Sequence, residues 1–208
     1  MRTVIVIAIR MRIGIKPQGG VDMRVIAGSA KGTRLVAPRG FDVRPTLDRV
    51  REALFSILAL RIEGAHFLDL FAGTGANGIE ALSRGAELST FVENDPRSLQ
   101  AIRRNLEATR LISRAFVRRL ELPSGLYELC EEGTRYDIVF ADPPYDLARQ
   151  DPDAYTTLLN HLHTAQILAS NAMIVIEHDS RTPISEKIAD FACARHARYG
   201  ETTLSFFS

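Results

Sequence analysis

Short apolar runs, each closed by a polar or glycine-containing turn, alternate with amphipathic stretches along most of this chain. Runs near 66–71, 88–93, 115–118, 136–141, 171–177, 192–197 and 202–207 have the length and content of buried strands. Between them the spacing predicts helices near 77–84, 96–108, 123–132, 152–169 and 184–190. Asp95-Pro96 and Asp151-Pro152 are helix-start signals, an N-cap acceptor followed by proline at the first helical position. Upstream, Arg24–Gly28 and Arg34–Ala37, joined through Ala30-Lys31-Gly32, read as a hairpin. Pro45-Thr46 then opens a helix whose apolar stripe is Leu47, Val50, Leu54, Ile57 and Leu58. Strand–helix alternation predicts an α/β fold with a mainly parallel sheet covered on both faces. Only Arg198–Glu201 joins the last two strands, too short for a parallel crossover, so that pair is expected to be antiparallel.

Composition bounds this picture. A chain of 208 residues with 46% apolar content holds one domain, or one plus a small appendage. The division expected is a leader at 1–22, an N-terminal hairpin and helix at 23–64, and a catalytic domain at 65–208. In the leader, Arg10 and Arg12 interrupt the apolar run Thr3–Ile9, which is too short for a membrane span and lacks a signal-peptide cleavage site. It reads as a non-native or overcalled start, or as an extra edge strand. Net charge is +1, which excludes a global polycation, but residues 23–64 carry eight Lys and Arg against four acids, and 103–119 six arginines against one glutamate. Locally basic surfaces of this kind suit phosphate contacts, or are solvated faces with ordinary ion pairs. The two cysteines lack Cys-x-x-Cys spacing, which points to reduced thiols in the cytoplasm. The five histidines form no metal-ligand pattern, His161-x-His163 included, and no metal is expected.

The chemistry sits at the ends of three strand-like runs. Asp142-Pro143-Pro144-Tyr145 follows Tyr136–Ala141. The two prolines fix the backbone and remove two N–H donors, which leaves the Asp142 carboxylate and the Asp142 and Pro143 carbonyls as acceptors beside the Tyr145 ring. Acceptors next to a stacking platform suit a planar molecule bearing an amino group; alone, the tetrapeptide is equally a rigid turn. The second piece is Phe67-Leu68-Asp69-Leu70-Phe71-Ala72-Gly73-Thr74-Gly75, a strand, an acid and a Gly-x-Gly turn. The third is Ser89–Glu93, a strand ending in an acid suited to ribose hydroxyls. Glycines at 73, 75 and 78 also fit a dinucleotide fingerprint. Asp69 beside the turn would repel a pyrophosphate, however, and a dinucleotide gives Asp-Pro-Pro-Tyr no role. A cationic cofactor with a free amino group fits the acid better, and S-adenosylmethionine has that amino group, a sulfonium and a ribose.

Asp-Leu-Phe-Ala-Gly-Thr-Gly, Val-Glu-Asn-Asp and Asp-Pro-Pro-Tyr, in this order, resemble the motifs of class I S-adenosylmethionine-dependent methyltransferases. Arg24-Val25-Ile26-Ala27-Gly28, Lys31-Gly32, Arg44-Pro45-Thr46, Asp48–Phe55 and Tyr199–Leu204 are similar to the bacterial 16S ribosomal RNA guanine-N2 methyltransferase family, which modifies guanine 966. The resemblance covers roughly Met23 to Ser208. It implies a Rossmann-like, seven-stranded, mostly parallel sheet with one reversed strand, preceded by the hairpin and helix. It implies 16S ribosomal RNA in a 30S subunit or assembly particle as partner, S-adenosylmethionine as methyl donor and S-adenosylhomocysteine as product. Asp142, Pro143, Pro144 and Tyr145 are then the catalytic group. Asp69, Phe71, Gly73, Gly75, Glu93 and Asn94 face the cofactor, Asp69 holding its amino group directly or through water. The family often has an acid or amide at the end of the third strand; Arg118-Arg119 stand there in this chain, and the Leu120 backbone is assigned the adenine contact. Lys31, Arg34, Arg44, Thr46 and Arg49 are the expected RNA-binding residues, although Arg49 and Arg51 also read as plain helix-surface charges. A monomer without membrane association is expected.

Two alternatives stay open. An Asp-Pro-Pro-Tyr enzyme could methylate adenine N6, since that amine needs the same acceptors. A non-catalytic RNA-binding assembly factor would keep the fold without turnover.

Overall fold

The computed structural model describes residues 23–38, 46–131, 133–144 and 150–208. The leader at 1–22, Arg44 and Tyr145 lie outside the described residues, as does the side chain of Thr46. The elements are α1 (Thr46–Ile57), β1 (His66–Leu70), α2 (Ala76–Ser83), β2 (Leu88–Glu93), α3 (Pro96–Thr109), β3 (Ala115–Arg119), α4 (Leu126–Cys130), β4 (Tyr136–Ala141), α5 (Ala154–Ala165), β5 (Leu168–Asp179), β6 (Lys187–Ile188), β7 (Phe191–Tyr199) and β8 (Thr202–Phe207).

Among the described residues the strands form one sheet in the order β3-β2-β1-β4-β5-β8-β7-β6. The pairs β1–β2, β1–β4, β2–β3 and β4–β5 are parallel, and β8 runs antiparallel to both β5 and β7. The short Arg198–Glu201 connection thus makes the antiparallel pair its length requires. The eighth strand corrects the expectation of seven. Residues 184–190, read as a helix, instead carry β6, which pairs with β7 across a two-residue turn with Ala189 at φ 52°. Ile184 and Ile188 are both buried, in a strand and its approach rather than on a helix face. The Asp151-Pro152 signal also placed a helix start too early. Asp151 accepts from the Asp153 N–H at 3.0 Å in a turn, and α5 begins at Ala154. Its far end comes at Gln166, left-handed at φ 52°, so β5 starts at Leu168 where helix was expected. Asp95-Pro96 behaves as read, with the Asp95 carboxylate accepting from the Arg97 N–H at 2.8 Å.

Alternation along the central strands sorts the core. Phe67, Phe91, Ile138, Phe140 and Val175 face α1, α2, α3 and the N-terminal segment through Val50, Leu54, Phe55, Ile79, Leu82, Ile102 and Leu106. Leu68, Leu70, Val139, Ala141, Ile174 and Ile176 face α4 and α5 through Leu126, Leu129, Leu158, Leu159 and Leu162. The N-terminal segment shares the first of these cores. Arg24 and Arg34 form an antiparallel bridge, and Met23, Val25 and Leu35 are buried. Fully buried Glu80 on α2 accepts from the Ile26 and Ala27 N–H groups at 2.8 and 2.9 Å and from Arg84 Nε at 2.7 Å. The hairpin is therefore bolted to α2 by a buried carboxylate. No helix among the described residues is long and apolar enough to cross a membrane.

Candidate active site

The strand order reverses between β1 and β4, and a cavity of about 600 Å³ opens at the carboxyl ends of the strands there. This is where an open α/β sheet binds ligands. Register fixes what lines it. Leu70 pairs with both Val92 and Ala141, and Ala141 pairs with Ile176, so the four strand ends are level. At or within a residue or two of those ends stand four carboxyl groups, Asp69, Glu93, Asp142 and Glu177.

The loop after β1 is built on left-handed backbone. Phe71, Gly73 and Gly75 have φ of 57°, 56° and 75°. For Phe71 that conformation costs roughly 1–2 kcal/mol, a strain typical of ligand-facing loops. The loop is held by carboxylates. Glu93 accepts from the Gly73 N–H at 2.8 Å with one oxygen, and from the Asn94 and Asp95 N–H groups at 2.8 and 2.9 Å with the other. Asp69 accepts from the Gly78 N–H at 2.9 Å and so anchors the first turn of α2. Gly78 itself lies so close to β2 that a Cβ there would overlap the Phe91 ring and Ser89 Oγ. The third glycine thus serves helix–strand packing.

Phe71, Gly73, Glu93, Asn94, Leu120, Asp142, Pro143 and Pro144 all line the cavity. Asp69 and Gly75, both buried, lie behind its wall. Lys31, Arg34 and Arg49 are exposed outside it, Arg49 on the outer side of α1. Arg51, two residues on, departs from the surface reading. It is 5% exposed and lines the cavity, with one terminal nitrogen donating to the Arg24 carbonyl and to Asp48, both at 2.8 Å.

The site is electrostatically unusual. Burial pushes the Asp142 carboxyl up to about 7 and raises Glu177 and Asp69 well above the usual carboxylate range; the Asp142 charge adds to the shift of both. Among the described residues, four buried side-chain N or O atoms have no hydrogen-bond partner, and three of them belong to residues of the cavity wall: Arg51 Nε, Ser98 Oγ and Glu177 Oε1. Buried polar groups are ordinarily satisfied, so a wall with a free cationic N–H, a free hydroxyl and a free carboxyl oxygen is shaped for a polar ligand. The sequence reading missed all three. Glu177 ends the apolar run Met173–Ile176 as Glu93 ends its own run, a signal present in the chain. The histidines are occupied elsewhere: His161 contacts the Thr157 carbonyl at 2.8 Å, and His163 pairs with Asp190 at 3.6 Å. Outside the cavity wall, Glu186 and Cys193 meet His196, which also contacts Ser205 Oγ at 2.7 Å.

Residues 23–208 match the family described as conserved hypothetical protein 95. The chain belongs to this family. This member of the conserved hypothetical protein 95 family is 34% identical over 189 residues to ribosomal RNA small subunit methyltransferase D of Escherichia coli (strain K12), covering 91% of each chain. It is 32% identical over 170 residues to the protein of the same name from Haemophilus influenzae, covering 81% of this chain and 84% of the other. Among solved structures, a hypothetical protein of Thermus thermophilus superposes with a TM-score of 0.73 at 30% identity, over 88% of this chain and 98% of that one. SMU.776 complexed with SAH superposes with a TM-score of 0.63 at 17% identity, over 79% of this chain and 50% of that one, a likeness of fold alone. The fold of this family member is the Rossmann-like α/β fold of class I methyltransferases, here with eight strands among the described residues.

Proposed function

We propose that this chain is an S-adenosylmethionine-dependent ribosomal RNA methyltransferase, and that its acceptor is the exocyclic N2 amine of a guanine in 16S ribosomal RNA, guanine 966 by the family resemblance, within a 30S subunit or assembly particle. The observation that carries the reading is that the Asp142-Pro143-Pro144 acceptors and the Glu93 carboxylate line one cavity. The names of the relatives supply the ribosomal RNA substrate class.

The residues present fit the cofactor. Glu93, at the tip of β2, faces the cavity as an acceptor for ribose hydroxyls. Arg51 offers a free buried N–H to a carboxylate, and Ser98 a hydroxyl. Asn94 and the Leu120 backbone border the same space, while Asp69 acts from behind by fixing the Gly73–Gly78 turn. When bound, S-adenosylmethionine supplies an electrophilic methyl group and leaves as S-adenosylhomocysteine.

The amine is a poor nucleophile because its lone pair is delocalised into the ring. Asp142 and the Pro143 carbonyl accept its two hydrogens and draw them out of the ring plane, which localises the lone pair toward the methyl group. Transfer leaves a cationic nitrogen, whose proton passes readily to Asp142 or to water. Rate enhancement comes from positioning and from stabilising that charge. The target base is reached in a loop or after leaving its helix, since pairing hides this edge. Exposed Lys31, Arg34 and Arg49 supply phosphate contacts from the N-terminal segment.

The test is to incubate the protein with methyl-labelled S-adenosylmethionine and 30S subunits lacking the modification, digest the RNA and identify the labelled nucleoside. N2-methylguanosine is expected. N6-methyladenosine would transfer the function to adenine, and no label despite cofactor binding would leave an RNA-binding factor.

A further inference from the structure

Glu177 is a cavity-wall carboxyl that lies outside the glycine turn, the Glu93 strand end and the Asp-Pro-Pro-Tyr loop. It sits on β5 one residue beyond Ile176, and Asp142 sits one residue beyond Ile176's register partner Ala141. Glu177 on β5 and Asp142 just past the end of β4 are therefore neighbours across the two strands, and both line the cavity. Glu177 is 4% exposed, and its Oε1 has no hydrogen-bond partner among the described residues. A buried acceptor without a donor costs roughly 1–3 kcal/mol, so its retention at a cavity wall points to a donor that arrives with the ligand.

The position of that donor follows from the acceptor beside it. If Asp142 takes the hydrogens of an exocyclic amine, Glu177 meets a ring atom next to that amine. In guanine two ring atoms flank that amine, N1 with a hydrogen and N3 without one, and an acceptor lacking a donor is matched on the N1 side. In adenine and cytosine the ring nitrogen beside the amine is an unprotonated acceptor. A carboxyl oxygen accepts from N1–H in either protonation state, whereas a bare ring nitrogen is matched only while the carboxyl hydrogen points at it, and not at all once the group is ionised. A site built to hydrogen-bond a donor rejects analogues lacking it far more strongly than a merely snug pocket does, because its buried polar atom is left unpaired.

We infer that Glu177 is the base-identity residue of this site, accepting the N1–H of a guanine whose N2 amine is held by Asp142. The inference rests on the methyl-transfer reading above and adds to it the group that selects guanine over other amino bases.

The probe is 2-aminopurine, which keeps the amine at C2 but has no hydrogen on N1. 30S subunits are reconstituted from 16S RNA carrying either guanine or 2-aminopurine at the methylated position, and kcat/KM is measured for wild type, Glu177→Ala and Glu177→Gln. The wild type should prefer guanine by about 10-fold, roughly the value of one hydrogen bond to a buried acceptor that is otherwise unpaired. Glu177→Ala should lose guanine activity until the preference falls to within about threefold of unity. Glu177→Gln, whose amide oxygen still accepts N1–H, should keep most of the preference. Calorimetric affinity for S-adenosylhomocysteine should be unchanged in both variants, which separates base reading from a collapsed site. Equal use of the two bases by the wild type, or an undiminished preference in Glu177→Ala, would overturn the inference and leave methyl transfer intact. Methylation of neither RNA by any variant that still binds cofactor would overturn the reading beneath it.

Discussion

Glu93 Oε2 accepts the Gly73 N–H at 2.8 Å, so the carboxylate closing β2 also clamps the loop that follows β1. One side chain thus shapes the loop and presents acceptor oxygen to the cavity. Glu93→Ala should lower affinity for S-adenosylhomocysteine by about 10- to 100-fold, the range for hydrogen bonds to a charged group. Titration calorimetry checks this; an unchanged Kd would place the cofactor elsewhere.

Asp142 makes the site pH-dependent. Its carboxyl is raised to about 7 by burial, and only its ionised form is the strong acceptor that can also take the proton released by transfer. The kcat/KM of the free enzyme should therefore climb with pH through about 7 and level off above it, and Asp142→Asn should lack that inflection.

The same shift bears on stability. Because the folded state holds this proton more tightly than the unfolded chain, the group's contribution is full below the ordinary carboxylate range and is lost as pH rises through about 7. Asp142→Asn should thus stabilise the ligand-free protein at pH 8 by about 1–2 kcal/mol, below the full linkage value because Asp142 is only half-buried, with the gain vanishing near pH 4. Denaturant unfolding at the two pH values measures it; a gain that does not shrink on acidification would contradict the assignment.

Two packing contacts outside the chemistry should be costly. Gly78→Ala forces a methyl into Phe91 and Ser89 and should destabilise by about 1–3 kcal/mol. Glu80→Ala strands two backbone N–H groups and the Arg84 guanidinium, and should cost about 3–5 kcal/mol. Urea midpoints would register both losses, and values near wild type would mean that the N-terminal segment is not held through α2.

The chain spells out most of this fold because strand ends coincide with chemical punctuation. Asp69, Glu93 and Asp142 each stand in or directly after an apolar run and beside a glycine, asparagine or proline motif, so run and motif reinforce each other. Glu177 closes a run of the same kind but is followed by His178-Asp179-Ser180, which carries no turn or ligand signature, and only its pairing with β4 puts it beside Asp142. Arg51 has a polar neighbourhood in sequence, and its burial depends on the Arg24 carbonyl, 27 positions away, which no local pattern reveals. The β6 segment misleads for the opposite reason. Two isoleucines four apart satisfy a helical period, yet the turn at Ala189 and the pairing of Ile188 with Phe191 decide the backbone.

The most direct measurement is single-turnover methyl transfer to unmodified 30S subunits by the wild type and Asp142→Asn, with S-adenosylhomocysteine affinity determined in parallel. Asp142→Asn should reduce the transfer rate by about 100-fold or more, the scale for losing one group that stabilises developing charge, with cofactor affinity within about twofold. Transfer at the wild-type rate, or a loss fully explained by weaker cofactor binding, would contradict the assignment of Asp142 to the acceptor amine.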